Sequence, residues 1–213
     1  MKEYIFIAKQ LLKGRSVLRS YLNLSVAKHT INGRTIDVGG GGGVECLDTF
    51  QVSPDAVIEH FDKKTGQNIN FEIDALPAQS DSYDTVIFLN VMEHIFNYKH
   101  IANEVVRITK PGGQLIGYVP FLMWYHPDHS DFFRYTDEAL QKIFTTAGAA
   151  SIEIEKNVKG PFTICAHMTM SLVPRILRPL YFLPLYLLDE LFLKFQNNPD
   201  ERHVLGYLFV IKK

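Results

Sequence analysis

The sequence predicts an α/β fold: a doubly wound, mostly parallel sheet with helices on both faces. Three observations predict it. Short apolar runs alternate with helical patterns along most of the 213 residues, the signature of repeated βα units. The first of these runs, residues 35–38, passes directly into five glycines, Gly39, Gly40, Gly41, Gly42 and Gly43. Asp37, Asp62, Asp74 and Asn90 all fall at the carboxyl ends of apolar runs, the edge where parallel sheets bind ligands.

Each element has its own signal. Tyr4, Ile7, Ala8, Leu11 and Leu12 share one helical face, so the chain opens on an amphipathic helix. Gly14 interrupts it and a second helix is expected over 16–29. Asn32-Gly33 turns the chain into the first strand. A short helix is expected over 44–50, then strands at 56–61, 70–73 and 85–89. A helix over 98–108 is closed by Pro111-Gly112-Gly113, and a fifth strand covers 114–119. Thr136 is the expected N-cap of a helix reaching Gly148, with Asp137 and Glu138 in its first turn, where the helix dipole favours negative charge. Residues 152–158 alternate as a sixth strand, and 204–211 form the last.

Composition bounds the partners. One domain, 1–213, is expected, with an N-terminal helical segment over 1–33 and an insertion over 160–203. Twenty-two basic and 23 acidic residues leave a net charge of −1, which offers nothing to a nucleic-acid backbone. Two cysteines, Cys46 and Cys165, support neither a disulfide framework nor a metal cluster, and a reducing, cytoplasmic setting fits. The first residues carry no secretory pattern. The longest apolar run, 179–188, is about half the ~20 residues a membrane span needs.

The glycines set the cofactor class. A dinucleotide fingerprint requires G-x-G-x-x-G/A. Counted from Gly39 the third position is Val44, and from Gly40 it is Glu45, so a nicotinamide-dependent oxidoreductase is disfavoured. The pattern D-x-G-x-G-x-G does fit, as Asp37, Gly39, Gly41 and Gly43. With residues 35–43, 71–77, 82–95 and 104–113 in this order and spacing, the chain resembles the class I S-adenosylmethionine-dependent methyltransferases of the type-11-like group. The likeness covers roughly 36–148.

That resemblance implies a Rossmann-like seven-stranded sheet whose last strand is antiparallel, and S-adenosyl-L-methionine as cofactor. It implies that Asp37 organises the glycine loop and faces the cationic methionyl end, which lies against the bare backbone of Gly39, Gly41 and Gly43. Asp62 would accept the ribose hydroxyls, with Glu59 as the competing ligand. Asp74 would meet the adenine amino group, Ala75 and Leu76 would pack the ring, and Asn90 would lie beside the transferred methyl. Glu93 and His94 sit on the next turn and stay outside the expected catalytic set. A non-catalytic module binding the same cofactor, or a partner protein, is the rival reading.

The acceptor side is expected in residues 120–136, which crowd His126, Asp128, His129, Asp131 and Arg134 among aromatics. Imidazole titrates near neutrality and suits a general base, so His126, His129 and Asp131 are the candidate catalytic residues, acting on a small-molecule or glycan hydroxyl. The stretch from His126 to Thr136 also resembles one found in methyltransferases of bacterial polysaccharide synthesis. Asp131 and Arg134 can equally pin the loop, and no metal is expected among these side chains. Residues 168–195 are rich in Leu and Phe broken by three prolines. They are expected to pack as a lid or subdomain, with homodimer or membrane-surface contact as the alternatives.

Overall fold

The computed structural model describes residues 1–40, 47–61, 69–127, 130–195 and 202–213. Two helices come first, α1 (Lys2–Leu12) and α2 (Val17–Val26). Ser16 caps the second, its hydroxyl accepting the Arg19 N–H at 3.1 Å. Two short strands, β1 (Thr30–Ile31) and β3 (Gln51–Val52), pair in parallel beside the main sheet.

The main sheet contains β2 (Arg34–Val38), β4 (Val57–Phe61), β5 (Tyr83–Leu89), β6 (Thr109–Pro120), β7 (Ser151–Val158) and β8 (Val204–Lys212). Their order is β4-β2-β5-β6-β8-β7. β2 is parallel to β4 and β5, and β5 to β6, whereas β8 runs antiparallel to both β6 and β7. The expected mostly parallel sheet with an antiparallel last strand is therefore present.

Burial on both faces explains why the strands read as continuous apolar runs. Val86, Phe88, Leu115, Val119 and Phe209 turn to one face, against α3 (Tyr98–Ile108) and α4 (Asp137–Thr146). Ile87, Leu89, Ile116, Tyr118 and Leu208 turn to the other, against Leu18, Leu22 and Val26 of α2. Thr136 caps α4 as expected, accepting the Ala139 N–H at 3.2 Å.

Three local expectations are corrected. Residues 70–73 form a turn instead of a strand, so the main sheet has six strands among the described residues where seven were expected. Asn70 and Asp74 cause this. The Asn70 side chain accepts the Glu72 N–H at 3.1 Å, the Asp74 carboxylate accepts the Asn70 N–H at 2.8 Å, and the Asp74 N–H returns to the Asn70 carbonyl at 2.8 Å. Side chains that bond their own backbone compete with a ladder. The helix expected over 44–50 shows, in its described part, only the 3-10 turn Leu47–Thr49. The fifth strand starts before Pro111-Gly112-Gly113 and absorbs the triplet through a shift of register between Tyr83 and Thr85.

The insertion folds as α5 (Pro161–Thr169) and α6 (Arg178–Phe195). Phe182 and Tyr186 of α6 pack with Ile7 and Leu11 of α1, Tyr21 of α2 and Leu205, joining the insertion to the N-terminal helices. Leu180, Leu187, Leu191 and Phe195 remain exposed on the outer side of α6. No described helix is long and apolar enough to cross a membrane. Asp189 of α6 is 3% exposed and caps α5 from outside, accepting the Phe162 and Thr163 N–H groups at 3.0 and 2.6 Å. Asp189→Ala orphans both donors and removes the charge facing the helix N-terminus. It should cost about 2 kcal/mol, measured as a lower midpoint of urea unfolding at unchanged slope.

Candidate functional site

The carboxyl ends of β2, β4, β5 and β6 gather the candidate residues at one edge. Asp37, in β2, is 4% exposed. Its carboxylate lies directly beneath Gly40, where an added Cβ would fall 2.0 Å from Oδ2, and His60 Nδ1 stands 3.3 Å from the same oxygen. Gly39 has φ +79° and donates its N–H to the Phe61 carbonyl at 2.8 Å. A Cβ there would lie 2.8 Å from both Val91 methyls. Conformation and space thus each demand glycine at this bend. The result is main chain bare of side chains, with a buried carboxylate held under it. Gly41, Gly43, Asp62 and His129 lie outside the described residues.

The other candidates are placed as follows. Glu59 sits within β4, held by Arg34 at 2.8 and 3.3 Å and by the Tyr83 hydroxyl at 2.9 Å, which engages it away from the strand tip. Phe71 reaches within 3.4 Å of the position a Gly39 Cβ would take, so the turn carrying Asp74 abuts the glycine bend. Asp74 and Ala75 are exposed, while Leu76 is buried in the core. Glu104 accepts the Leu76 N–H at 2.7 Å and Arg107 donates to its carbonyl at 3.1 Å, fixing this segment from α3. Asn90 follows β5 in a left-handed conformation, φ +53°, which is uncommon outside glycine. Its N–H donates to the Tyr118 carbonyl at 2.9 Å, and its buried Oδ1 has no hydrogen-bond partner among the described residues.

The loop after β6 lies against the turn after β5, the Phe132 N–H donating to the Glu93 carbonyl at 2.8 Å. Arg134 grips Asp131 with a two-pronged guanidinium fork at 2.5 and 2.7 Å, holding that carboxyl down at about 2. Asp131 also accepts the His126 N–H at 3.0 Å, and its Oδ2 is 3.6 Å from His126 Nδ1. The pair therefore pins the loop and positions His126 together. Burial, reinforced by His94, lowers the His126 pKa and keeps the ring neutral with a free lone pair. The His94 ring meets the His126 ring edge-on at 5.1 Å. Beneath them Glu93 is fully buried, and burial pushes its carboxyl up to about 8. Sequence spacing could not show this grouping, because His94 follows β5 and His126 follows β6. Only the parallel pairing of those strands brings the two segments together.

Trp124 of the same loop stacks on His167 of α5, with ring centroids 4.6 Å apart, joining the insertion to the loop after β6. His167 is fully buried, and burial lowers its pKa to about 4. Unfolded, the ring would titrate near 6.5. Between those values the unfolded chain binds more protons, so acidification from pH 7 to pH 4 favours unfolding, by about 3 kcal/mol from this ring. His167→Phe should flatten that part of the stability profile in urea titrations across the range.

A glycine bend over a buried acid, at the strand tips of an α/β sheet, has the form in which doubly wound folds take nucleoside-type cofactors. The methyltransferase domain family matches residues 11–153, and the chain belongs to it, among the class I S-adenosylmethionine-dependent methyltransferases. An uncharacterized methyltransferase of Mycobacterium bovis is 32% identical over 108 residues, covering 45% of this chain and 42% of that protein. The chain thus aligns with less than half the length of such curated relatives. Among solved structures, the complex between the Haloferax volcanii Trm112 methyltransferase activator and a putative methyltransferase gives a TM-score of 0.54 at 16% identity, covering 99% of this chain and 96% of that one. Haemonchus contortus phosphoethanolamine N-methyltransferase 2, solved with phosphomonomethylethanolamine and S-adenosylhomocysteine, gives 0.53 at 18% identity, covering 90% and 52%. These likenesses show the shared fold.

Proposed function

We propose that the chain binds S-adenosyl-L-methionine at the glycine bend and transfers its methyl group to a hydroxyl of a small-molecule or glycan acceptor. The observation that carries this reading is the Asp37 carboxylate held beneath side-chain-free backbone at Gly39 and Gly40. Asn90, whose buried amide oxygen lacks a partner among the described residues, stands at the tip of the adjacent strand. When bound, the cofactor supplies an activated methyl on a sulfonium.

The protein's own residues then have separable tasks. Asp37 faces the cationic end, and Gly39, Gly41 and Gly43 let it lie against main chain. Asp62 takes the ribose hydroxyls. Asp74, Ala75 and Leu76 form the adenine side, and Asn90 borders the methyl. Across the site His126, oriented by Asp131, accepts the proton of the acceptor hydroxyl as the oxygen–carbon bond forms. His129 is the second imidazole of that loop. Phe96 of the turn after β5 clusters with Phe132 and Phe133 of the loop after β6, which suits the apolar face of a sugar or other polyol ring.

Incubation with methyl-labelled S-adenosylmethionine and a panel of polyols, sugars and lipid-linked glycans tests this reading. Label should pass to an oxygen, and His126→Ala should lower kcat at unchanged cofactor affinity. Cofactor binding with no transfer to any acceptor would instead support a non-catalytic module. The exposed apolar row on α6 supports a further contact through 168–195. Sedimentation with and without anionic vesicles separates a homodimer from a membrane-surface contact.

A further inference from the structure

The turn after β5 and the loop after β6 hold more chemistry than one proton acceptor needs. Glu93 is fully buried, and neither carboxylate oxygen has a hydrogen-bond partner among the described residues. Its Oε1 lies 3.8 Å from Nε2 of His94, too long for a hydrogen bond. The other ring nitrogen of His94, Nδ1, donates to the Ser130 carbonyl. A carbonyl can only accept, so the ring proton is fixed on Nδ1 and Nε2 presents a lone pair towards Glu93. His126 completes the group. Its Nδ1 is buried, has no hydrogen-bond partner among the described residues and lies 3.6 Å from Asp131 Oδ2. One ligand atom from each of Glu93, His94 and His126 lies within 4.8 Å of the other two.

We propose that Glu93, His94 and His126 form a binding site for a divalent transition-metal ion. Two imidazoles and one carboxylate are the donor set that Zn²⁺, Co²⁺, Mn²⁺ and Fe²⁺ accept, whereas Mg²⁺ and Ca²⁺ prefer oxygen alone. Ligand atoms around such an ion sit roughly 3–4 Å apart, so the present arrangement needs to close by about 1 Å. The supporting shell is already in place. The Ser130 carbonyl fixes the His94 tautomer, as a second-shell partner of a ligating histidine does. The Phe132 N–H donates to the Glu93 carbonyl at 2.8 Å, tying the two ligand-bearing segments together.

The catalytic meaning of this site rests on the methyltransferase reading. A cation there would bind the acceptor oxygen and lower the pKa of its hydroxyl. With the cation bound, His126 would be a ligand in place of the proton acceptor described above, and the hydroxyl proton would leave to water.

The test uses the whole chain, freed of metal by dialysis against a chelator and titrated with Co²⁺ alone, without S-adenosylmethionine. Visible absorption and calorimetry should report one equivalent, displaced by Zn²⁺. Glu93→Gln and His94→Ala should each weaken binding roughly tenfold or more. Because the sequence has eight histidines, His29→Ala serves as the control and should bind as the unaltered chain does. Melting curves of the metal-free variants check folding, and His94, partly exposed, keeps the test open if Glu93→Gln fails to fold. No Co²⁺ binding, or equal binding by the variants, overturns the site. If S-adenosylmethionine binds and Co²⁺ does not, only this inference falls. If Co²⁺ binds in the expected pattern and S-adenosylmethionine does not, the metal site stands and the methyltransferase reading falls.

Discussion

Asp37→Ala is expected to weaken S-adenosylmethionine binding by roughly a hundredfold or more. The carboxylate is almost wholly buried and lies under the Gly39–Gly40 backbone, so on the proposed reading it contributes twice, as a charge facing the cationic methionyl end and as the support of the bend. Removing one partner of a desolvated charge interaction costs about 2–5 kcal/mol, and about 3 kcal/mol already exceeds a hundredfold in affinity. His60 loses its neighbour in the variant but keeps partial access to water, so the melting temperature should move by only a few degrees. Calorimetry with the cofactor and its demethylated product, beside a melting curve, separates the effects. Unchanged affinity would place the cofactor elsewhere.

Asp131→Asn is expected to damage stability and turnover together. The asparagine keeps the shape and the acceptor for the His126 N–H but leaves the Arg134 guanidinium without its counter-charge. Breaking a buried pair from one side costs about 3–5 kcal/mol. Arg134 retains some solvent contact, which argues for about 3 kcal/mol and a fall of roughly 6–12 °C in melting temperature for a chain of this size. Below its melting point the variant should lose roughly tenfold or more in kcat, because the loop that aims His126 is no longer clamped. Thermal unfolding and steady-state kinetics on the same preparation check both. A variant as stable as the parent would mean that the Asp131–Arg134 fork contributes nothing beyond its drawn geometry.

Much of the fold was legible in the chain because its strands are covered on both faces and its helices are amphipathic. The helix over 98–108 and the Thr136 cap depend on local signals, and the structure reproduces them. Residues 70–73 depart from the expected strand because the side-chain bonds of Asn70 and Asp74 turn the chain first. The glycine bend was legible through spacing alone, since glycine is the residue that its conformation and its Val91 contact both require. The grouping of Glu93 with His94 and His126 was not. It arises where two parallel strands end side by side, and neither segment carries a local mark of the other. The stacking of Trp124 on His167 was hidden for the same reason, because it joins a loop to an insertion whose path no periodicity specifies.

The most direct measurement of the central claim is calorimetric titration of the intact chain with S-adenosylmethionine, S-adenosylhomocysteine and NAD in parallel. The account predicts one site for each of the first two, lost in Asp37→Ala, and no heat from NAD. Binding of NAD, or cofactor binding indifferent to Asp37, would contradict it.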